Sequence, residues 1–446
     1  MYTANTLVEH STRKSINARE TLRKLLKTDL GFHGQGSSEM SHDIHAFPAK
    51  FPPQLPRIFI SNLTQPREKV LDPMMGSGTC VLEAIAEGRS GIGFDIDPLA
   101  VMLTKVKVSS INPVNTLSSG LEIVERAEYA LNNGTAASLE IDLAKKFDSK
   151  TRTFVDYWFS RQTQIELIAL LREIEKIKTR NIREFLLLAF SAIIITKSGG
   201  VSLAWDLAHT RPHKLNQGIP KSYRPTLKEF KKRLQKNISS LCEVGSDLGK
   251  AFVNFGNAET LPLKSNSMDL LFTSPPYASN AIDYMRAHKF SLVWFGNHID
   301  SLSELRSKYI GGEKVTNYQF LELPPETKKI VSKISKLDKK KSLALHRYYS
   351  EMQKVLTEAF RVLKPGKTAI FVVGTSTMRG VDSETQNCLG EIGSIVGFDL
   401  AGIGVRKLDR DKRMMPARSG NKRNSLIEER MHEEYIVAFV KPEWGK

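Results

Sequence analysis

The tetrapeptide Ser274-Pro275-Pro276-Tyr277 places two hydrogen-bond acceptors and an aromatic ring within four consecutive residues. Pro275 has no N–H, and Pro276 keeps the intervening peptide from donating, so the Pro275 carbonyl is held rigidly as an acceptor. The Ser274 hydroxyl is a second acceptor. The Tyr277 ring is a flat surface on which a planar base can stack, worth about 1–3 kcal/mol in comparable contacts. These groups are suited to hold the protons of a ring-bound amine while its nitrogen attacks an electrophilic carbon.

The segment LDPMMGSGT, residues 71–79, has the pattern of a ligand-binding turn. A short apolar strand is predicted to end at Asp72. Gly76 and Gly78 then allow a tight turn and a close ligand approach that a Cβ atom would block. Thr79 begins a predicted helix, whose free N–H groups favour an anionic or carboxylate-bearing ligand. The segment therefore predicts a binding site at the end of a strand.

Asp95 extends this site toward a nucleoside. It closes the next predicted strand, 17 residues after Gly78, and an acid at about that offset reaches ribose hydroxyls. A dinucleotide-binding turn carries a third glycine, and Val81 stands at that position here. The pattern therefore favours a nucleoside-bearing cofactor and disfavours NAD.

The segments LDPMMGSGT and GIGFDIDPLA together resemble the first two cofactor motifs of class I S-adenosylmethionine-dependent methyltransferases, specifically the amino-methyltransferases of nucleic acids. The resemblance implies S-adenosylmethionine as the cofactor, with Asp72 and the two glycines around its methionine part and Asp95 on its ribose. GNAETLP, residues 256–262, resembles the motif near the adenine. HAFPAKFPPQLP, residues 45–56, resembles the segment that closes over the methionine end. The cofactor-binding residues predicted in this way are Lys50, Phe51, Asp72, Met74, Gly76, Gly78, Thr79, Asp95, Ile96, Asn257 and Ala258.

The same resemblance gives the tetrapeptide a catalytic role. In amino-methyltransferases it has the form [DNS]PP[YFW], and the serine form resembles enzymes that methylate cytosine N4 in DNA. The predicted catalytic residues are Ser274, Pro275, Pro276 and Tyr277. The predicted partner is DNA with the target cytosine flipped out of the stack, because a paired base cannot reach such a pocket. A separate restriction endonuclease is a possible further partner, as in restriction-modification systems.

Four alternatives stay open or are disfavoured on the residues themselves. The aspartate form of the tetrapeptide resembles adenine-N6 enzymes, but this correspondence is only a tendency. Methylation of adenine N6 therefore stays open, as does methylation of an amine on an RNA base. A non-catalytic nucleic-acid-binding protein on a decayed fold is disfavoured because both motifs are intact. Cytosine C5 transfer needs a cysteine nucleophile that usually follows proline, and none of Cys80, Cys242 and Cys388 does.

Composition agrees with a nucleic-acid partner. The chain has 446 residues, with 65 lysines and arginines against 48 acids and a formal charge of +17, which indicates a polyanionic partner.

The longest apolar stretch, 185–196, falls short of the roughly 20 residues that span a bilayer. No signal peptide is apparent at the N-terminus. The cysteines form no CxxC pair, so no metal site or disulfide framework is predicted, and we expect a cytoplasmic protein.

The elements that must position these residues follow an α/β pattern. Strand, turn, helix, strand and helix alternate over about 69–108. A purely helical pattern follows, and the alternation resumes near residue 251. We predict a doubly wound, mostly parallel seven-stranded methyltransferase sheet with an inserted helical domain, in which the 269–273 strand lies next to the first strand. The carboxyl edge of such a sheet is where ligands bind.

The predicted domain organisation is an N-terminal helix and linker over 1–41, the cofactor-binding part over 42–114, a helical insert over 115–245 and the catalytic part over 246–446. The helical insert is a candidate for target recognition, and a dimer surface is the alternative. Basic segments are candidates for holding the nucleic-acid backbone: a turn-rich region at 209–236, an exposed lysine-rich stretch at 328–341, and a loop at 407–423 that we expect near the flipped base.

Overall fold

The structure is a computed structural model. It describes residues 17–35, 41–47, 50–133, 136–196, 199–204, 222–241, 248–278, 283–312, 315, 317–408 and 432–443. The strands within these ranges are β1 Lys69–Asp72, β2 Ser90–Asp95, β3 Ala251–Phe255, β4 Met268–Thr273, β5 Leu363–Val373, β6 Thr377–Met378, β7 Val381–Asp382, β8 Asp399–Lys407 and β9 Glu433–Val440.

The helices flank these strands along the chain. They are α1 Ala18–Leu25, α2 Gln54–Leu63, α3 Thr79–Ala86, α4 Pro98–Val108, α5 Pro113–Asn132, α6 Ala136–Lys146, α7 Ser149–Trp158, α8 Arg161–Glu175, α9 Arg180–Ile194, α10 Thr226–Ser239, α11 Tyr284–Leu292, α12 Ile299–Ser307, α13 Pro325–Ser335, α14 Lys339–Val362 and α15 Thr385–Val396. Within the described ranges, every helix is too short or too polar to cross a lipid bilayer.

Seven strands form one sheet in the order β3-β2-β1-β4-β5-β9-β8. The first five are parallel, and β9 is antiparallel to both of its neighbours. Every residue of β4 is buried, as expected for a central strand covered by helices on both faces. The predicted α/β class, the mostly parallel seven-stranded sheet and the position of β4 beside β1 are therefore confirmed.

Helices α5 to α10 fill the interval between α4 and β3, where the sequence predicts helical structure. Their apolar faces pack in one hydrophobic cluster that also includes residues of α4 and α11. Trp294, just after α11, is fully buried in this cluster and contacts the rings of Phe159 and Phe190 edge to face. The helices of the insert are thus anchored to the part of the chain that follows the tetrapeptide.

Two of the predicted basic segments contain helix. Thr226–Ser239 within and beyond the turn-rich region is helix α10, whose buried Leu227, Phe230 and Leu234 recur at helical spacing. The lysine-rich stretch 328–341 spans the end of α13 and the start of α14. Its lysines are mostly exposed as predicted, whereas Ile330, Val331 and Ile334 between them are buried. Residues 205–221 and 409–431 lie outside the described residues, including most of the 407–423 loop.

Candidate active site

The glycine turn and the proline tetrapeptide meet at the carboxyl edge of the sheet. Strands β1 and β4 pair in parallel with Leu71 opposite Leu271, so the residues that follow both strands leave the sheet side by side. The Thr273 hydroxyl donates a 2.7 Å hydrogen bond to Asp72 Oδ1. The last residue of β4 is therefore bonded to the last residue of β1, although 201 positions separate them in the chain.

One cavity at this edge is lined by nearly all of the predicted site residues. Gly78 is the exception. The predicted residues that line the cavity are Lys50, Phe51, Asp72, Met74, Gly76, Thr79, Asp95, Ile96, Asn257, Ala258, Ser274, Pro275, Pro276 and Tyr277. The cofactor motifs and the catalytic tetrapeptide predicted from the sequence thus face the same space.

The glycines of the turn are required by its geometry. Gly78 has a φ of +74°, and a Cβ atom there would lie 2.4 Å from the Thr104 Oγ1 atom. Gly78 therefore shapes the turn and lets α3 approach α4, without lining the cavity itself. Gly76 has a φ of +47°, and a Cβ atom there would lie 3.3 Å from the Phe47 ring. Both positions favour a residue without a side chain.

Asp72 is a buried carboxylate with two donors. Besides the Thr273 hydroxyl, the backbone N–H of Met74 donates to Asp72 Oδ1 over 3.2 Å. Burial raises the pKa of Asp72 to about 7, and the nearby Asp95 adds to this shift, whereas the two hydrogen bonds oppose it. In the protein alone, Asp72 is therefore a weaker acid than an exposed aspartate.

Asp95, at the end of β2, bridges the glycine turn and the start of α4. It accepts 2.8 Å hydrogen bonds from the backbone N–H groups of Gly76 and Asp97. Burial raises the pKa of Asp95 to about 7 and the neighbouring Asp97 carboxylate adds to the shift, while these hydrogen bonds and His288 work against it. Asp95 and Asp72 are therefore two acids of one cavity that both titrate near neutral pH.

Asp97 is a cavity residue that sequence reasoning missed. It caps α4 by accepting from the Leu99 N–H at 2.8 Å, and it also accepts from the Tyr309 hydroxyl at 2.8 Å and lies 2.6 Å from His288 Nδ1. Burial would raise the pKa of Asp97, but the charge and hydrogen bonds of its partners outweigh burial and lower it. An aspartate directly before Pro98 is a helix-start signal, so the sequence did contain a cue for its structural role.

Aromatic residues that the sequence analysis did not single out form one wall of the cavity. The rings of Phe47 and Tyr284 stack with centroids 5.0 Å apart, and both line the cavity together with Tyr309. The predicted residue Lys50 also lies here, and its Nζ donates to the backbone carbonyls of His42 and His45 at 2.7 and 3.2 Å. Lys50 thereby fastens the segment that carries Phe47 against the cavity.

The tetrapeptide also lines the cavity. The Tyr277 ring lines the cavity, and its hydroxyl donates a 2.8 Å hydrogen bond to Glu434 Oε1 on β9. Glu434 in turn pairs with Arg406, its register partner on β8. Burial raises the pKa of the Tyr277 phenol well above its usual range and Glu434 adds to the shift, while a hydrogen bond from Ser274 opposes it. No local sequence pattern indicates Glu434, which lies 157 positions from Tyr277.

The third side of the cavity comes from the residues after β3. Asn257 and Ala258 line it with Gly256. The Asn257 side-chain oxygen accepts a 3.0 Å hydrogen bond from the Glu259 N–H, which closes a local turn of the kind asparagine favours. The predicted adenine-side residues are therefore held in a defined loop at the same edge as Asp95.

Comparison with known proteins shows which enzymes this chain resembles. Residues 8–105 match a family model described as DNA methylase. The chain is 27% identical over 390 residues to the Type II methyltransferase M.MvaI of Kocuria varians, covering 81% of this chain and 83% of that relative. It is 21% identical over 383 residues to the Type II methyltransferase M.MjaII of Methanocaldococcus jannaschii, covering 68% and 72%.

A solved SAM-dependent methyltransferase from Methanosarcina mazei aligns with 86% of this chain and 97% of its own, at 13% identity and a TM-score of 0.30. The sequence matches confirm the predicted resemblance to DNA amino-methyltransferases of the restriction-modification type. S-adenosylmethionine is the methyl donor that this class implies.

Proposed function

We propose that this protein transfers a methyl group from S-adenosylmethionine to the exocyclic N4 amine of a cytosine in DNA. The observation that carries the proposal is the shared cavity, which is lined both by residues of the cofactor motifs and by the Ser274–Tyr277 tetrapeptide. The hydrogen bond between Thr273 and Asp72 fixes the two motifs relative to one another. Placing two reactants in one fixed geometry is a large part of catalysis for a transfer that needs no covalent intermediate.

The residues of the glycine turn fit this cofactor. Gly76 leaves the space beside the Phe47 ring free of a Cβ atom, and the acids Asp72 and Asp95 suit the ammonium and ribose hydroxyls of a positively charged nucleoside. Asn257 and Ala258 would hold the adenine end. When bound, S-adenosylmethionine supplies an electrophilic methyl group on a sulfonium centre.

On the substrate side, the chain provides acceptors for the amine. An exocyclic amine is a weak nucleophile because its lone pair is delocalised into the ring. The Ser274 hydroxyl and the Pro275 carbonyl would accept its protons and let the nitrogen rehybridise toward the methyl group. Tyr277 would stack against the base. A duplex base must be flipped to enter this cavity, and we include base flipping in the proposal.

The choice of cytosine over adenine rests on Ser274. A serine before the two prolines is the form that resembles cytosine-N4 enzymes, whereas adenine-N6 enzymes resemble the aspartate form. Adenine N6 remains the second candidate, since the cavity offers acceptors that suit either amine. An RNA base is a third candidate and is less favoured, because both relatives reported above are Type II methyltransferases.

The remaining parts of the chain would recognise the target. Because β9 is antiparallel to β5, the connection between β8 and β9 leaves the sheet at the carboxyl edge of the parallel strands. The basic 407–423 segment belongs to this connection, so we propose that it contacts DNA near the flipped base. We assign target recognition to helices α5 to α10 and suggest a separate endonuclease as the functional partner. With DNA as the substrate, we propose that the protein acts in the cytoplasm.

The test is methylation followed at base resolution. The purified chain is incubated with tritiated S-adenosylmethionine and mixed-sequence DNA, with tRNA in a parallel reaction. We expect label in DNA, and mass spectrometry of the digested product should show N4-methylcytosine. N6-methyladenine would select the second candidate, and label in tRNA alone would select the third. Cofactor binding without label in either nucleic acid would refute the proposal.

A further inference from the structure

Tyr309 lines the cavity from a segment that has no part in the proposed reaction. Its hydroxyl donates a 2.8 Å hydrogen bond to Asp97 Oδ2, 212 positions earlier in the chain. Lys308 and Ile310, on either side of it, line the same cavity. We call residues 307–311 the bridge segment. Because three consecutive residues of this segment face the cavity, its position bears on what the cavity can bind.

The bridge segment is fastened to helix α14. Arg347 Nη2 donates to the backbone carbonyls of Ser307 and Tyr309 over 3.0 and 3.4 Å. The backbone N–H of Gly311 donates to Glu351 Oε2 over 2.8 Å. Arg347 and Glu351 are 5% and 3% exposed, and their side chains pair with each other. Buried polar networks of this kind make the backbone that they bind rigid.

Tyr309 therefore links two elements at the carboxyl edge of the sheet. Helix α14 leads directly into β5, whereas Asp97 lies just after β2, at the start of α4. Strands β1 and β4 lie between β2 and β5 in the sheet, and the glycine turn and the tetrapeptide follow these two strands. The hydrogen bond from Tyr309 to Asp97 thus joins elements from either side of the two motifs.

Asp97 passes this restraint on to the acid that is predicted to hold the ribose. The backbone N–H of Asp97 donates to Asp95 Oδ1 over 2.8 Å. The buried side chain of Asp97 is held by the Tyr309 hydroxyl and by His288 Nδ1, 2.6 Å away. A displacement of Asp97 would therefore move a donor that orients Asp95.

We infer that Tyr309 is a positioning residue for S-adenosylmethionine, because by holding Asp97 it keeps Asp95 in the orientation that binds the ribose. This inference rests on the proposed function, in which Asp95 holds that ribose. Groups that are fixed before a ligand arrives lose less freedom when it binds, so preorganisation of this kind raises affinity. The hydrogen bond should therefore affect the affinity for the cofactor and leave the affinity for DNA unchanged.

The test is calorimetry of S-adenosylmethionine binding to Tyr309→Phe, which removes the hydroxyl and keeps the ring in the cavity wall. We expect Kd to rise about tenfold, the lower end of the range for losing a hydrogen bond to a charged group. In the methylation assay, KM for S-adenosylmethionine should rise in parallel, while KM for DNA and kcat at saturating cofactor keep their wild-type values. A residue that only stabilised the fold would not produce this separation.

Tyr348→Phe is the matched control. Tyr348 is fully buried on α14, and its hydroxyl has no hydrogen-bond partner within the described ranges. The same chemical change at this position should leave Kd unchanged. An unchanged Kd in Tyr309→Phe, or an equal rise in both variants, would overturn the inference.

Asp97→Asn tests the route through Asp97. Asparagine caps a helix about as well as aspartate, so α4 should keep its start. The loss of affinity caused by Tyr309→Phe should be smaller in the Asp97→Asn protein than in the wild type. Losses that multiply fully would show that Tyr309 does not act through Asp97 and would overturn the inference. If Asp97→Asn fails to fold, Tyr309→Phe and its control decide.

The outcome for the inference can be told apart from that for the proposed function. Cofactor binding that is weakened in Tyr309→Phe but never leads to methylation would refute the proposed function alone. A wild-type protein that binds no S-adenosylmethionine would refute both.

Discussion

Cofactor binding should depend strongly on pH through the two acids of the cavity. Asp72 and Asp95 are buried carboxyls whose pKa values are raised to about 7 in the protein alone. A cationic nucleoside whose ammonium and ribose these acids hold should bind their ionised forms. At pH 5.5 an acid with a pKa of 7 is ionised in only about one molecule in 30. If binding requires one ionised acid, the affinity for S-adenosylmethionine at pH 5.5 should therefore be about 30-fold lower than that of the fully ionised site. It should be lower still if both acids must be ionised.

Calorimetry with S-adenosylmethionine between pH 5.5 and 7.5 measures this effect. Titrations in two buffers of different ionisation enthalpy should show proton release on binding near pH 7, because the ligand draws both acids toward the ionised form. Asp95→Asn should bind more weakly and lose part of the pH dependence. Asp300→Asn is the control, since Asp300 is an exposed acid paired with Lys150. An affinity that stays constant over this range, with no proton release, would refute the assignment of these acids.

The same acids should also make the stability of the protein without cofactor depend on pH, with higher stability at low pH. The pKa of Asp95 is raised from 3.8 to about 7 on folding, so between these values the folded state binds more protons than the unfolded state. The contribution of Asp95 to the free energy of unfolding is therefore greatest below about pH 4 and is lost as the pH rises through 7. Denaturant unfolding should show the wild type gaining stability relative to Asp95→Asn as pH falls from 8 to 5. Equal changes in both proteins would contradict the shifted pKa.

Two further substitutions test the geometry of the turn and of its link to β4. Gly78→Ala should destabilise the protein by about 1–3 kcal/mol from backbone strain alone, and by more because of the contact with Thr104. Gly296→Ala is the control for backbone strain, because φ there is +88° and no atom lies within 4 Å of the added Cβ. Denaturant titrations compare the two variants, and equal losses of stability would show that the contact with Thr104 is unimportant. Thr273→Val leaves the buried Asp72 with one donor fewer, which should weaken cofactor binding at pH 7 by about tenfold without changing KM for DNA, and unchanged affinity by calorimetry would contradict this role.

Local sequence patterns predicted the elements of the site well. The apolar runs that end at Asp72, Asp95 and Thr273 are short buried strands, and their order along the chain fits a parallel sheet. Parallel strands expose their carboxyl ends at one edge, so residues that follow three of them must converge. For this reason nearly all the predicted side chains line one cavity.

Two basic segments have a helical periodicity of apolar residues that their high content of charged residues hides. The stretch around Lys328 to Lys341 is rich in lysine, yet Ile330, Val331 and Ile334 are buried against α14 and α15. A helix needs only one apolar stripe, and the lysines occupy the solvent side of it. The same applies to α10, where counting basic residues obscured the helical spacing of its leucines and phenylalanine.

By itself, the sequence determined the chemical groups of the site, the strands that carry them and the edge at which they gather, because these depend on short-range patterns and on the general geometry of parallel sheets. Only the tertiary structure decided that Glu434 bonds to Tyr277, that Thr273 bonds to Asp72, and that Phe47 stacks on Tyr284. Such contacts join residues far apart in the chain, and no local pattern encodes which side chains will meet. The shifted pKa values of the two acids have the same origin, since burial by distant segments sets them.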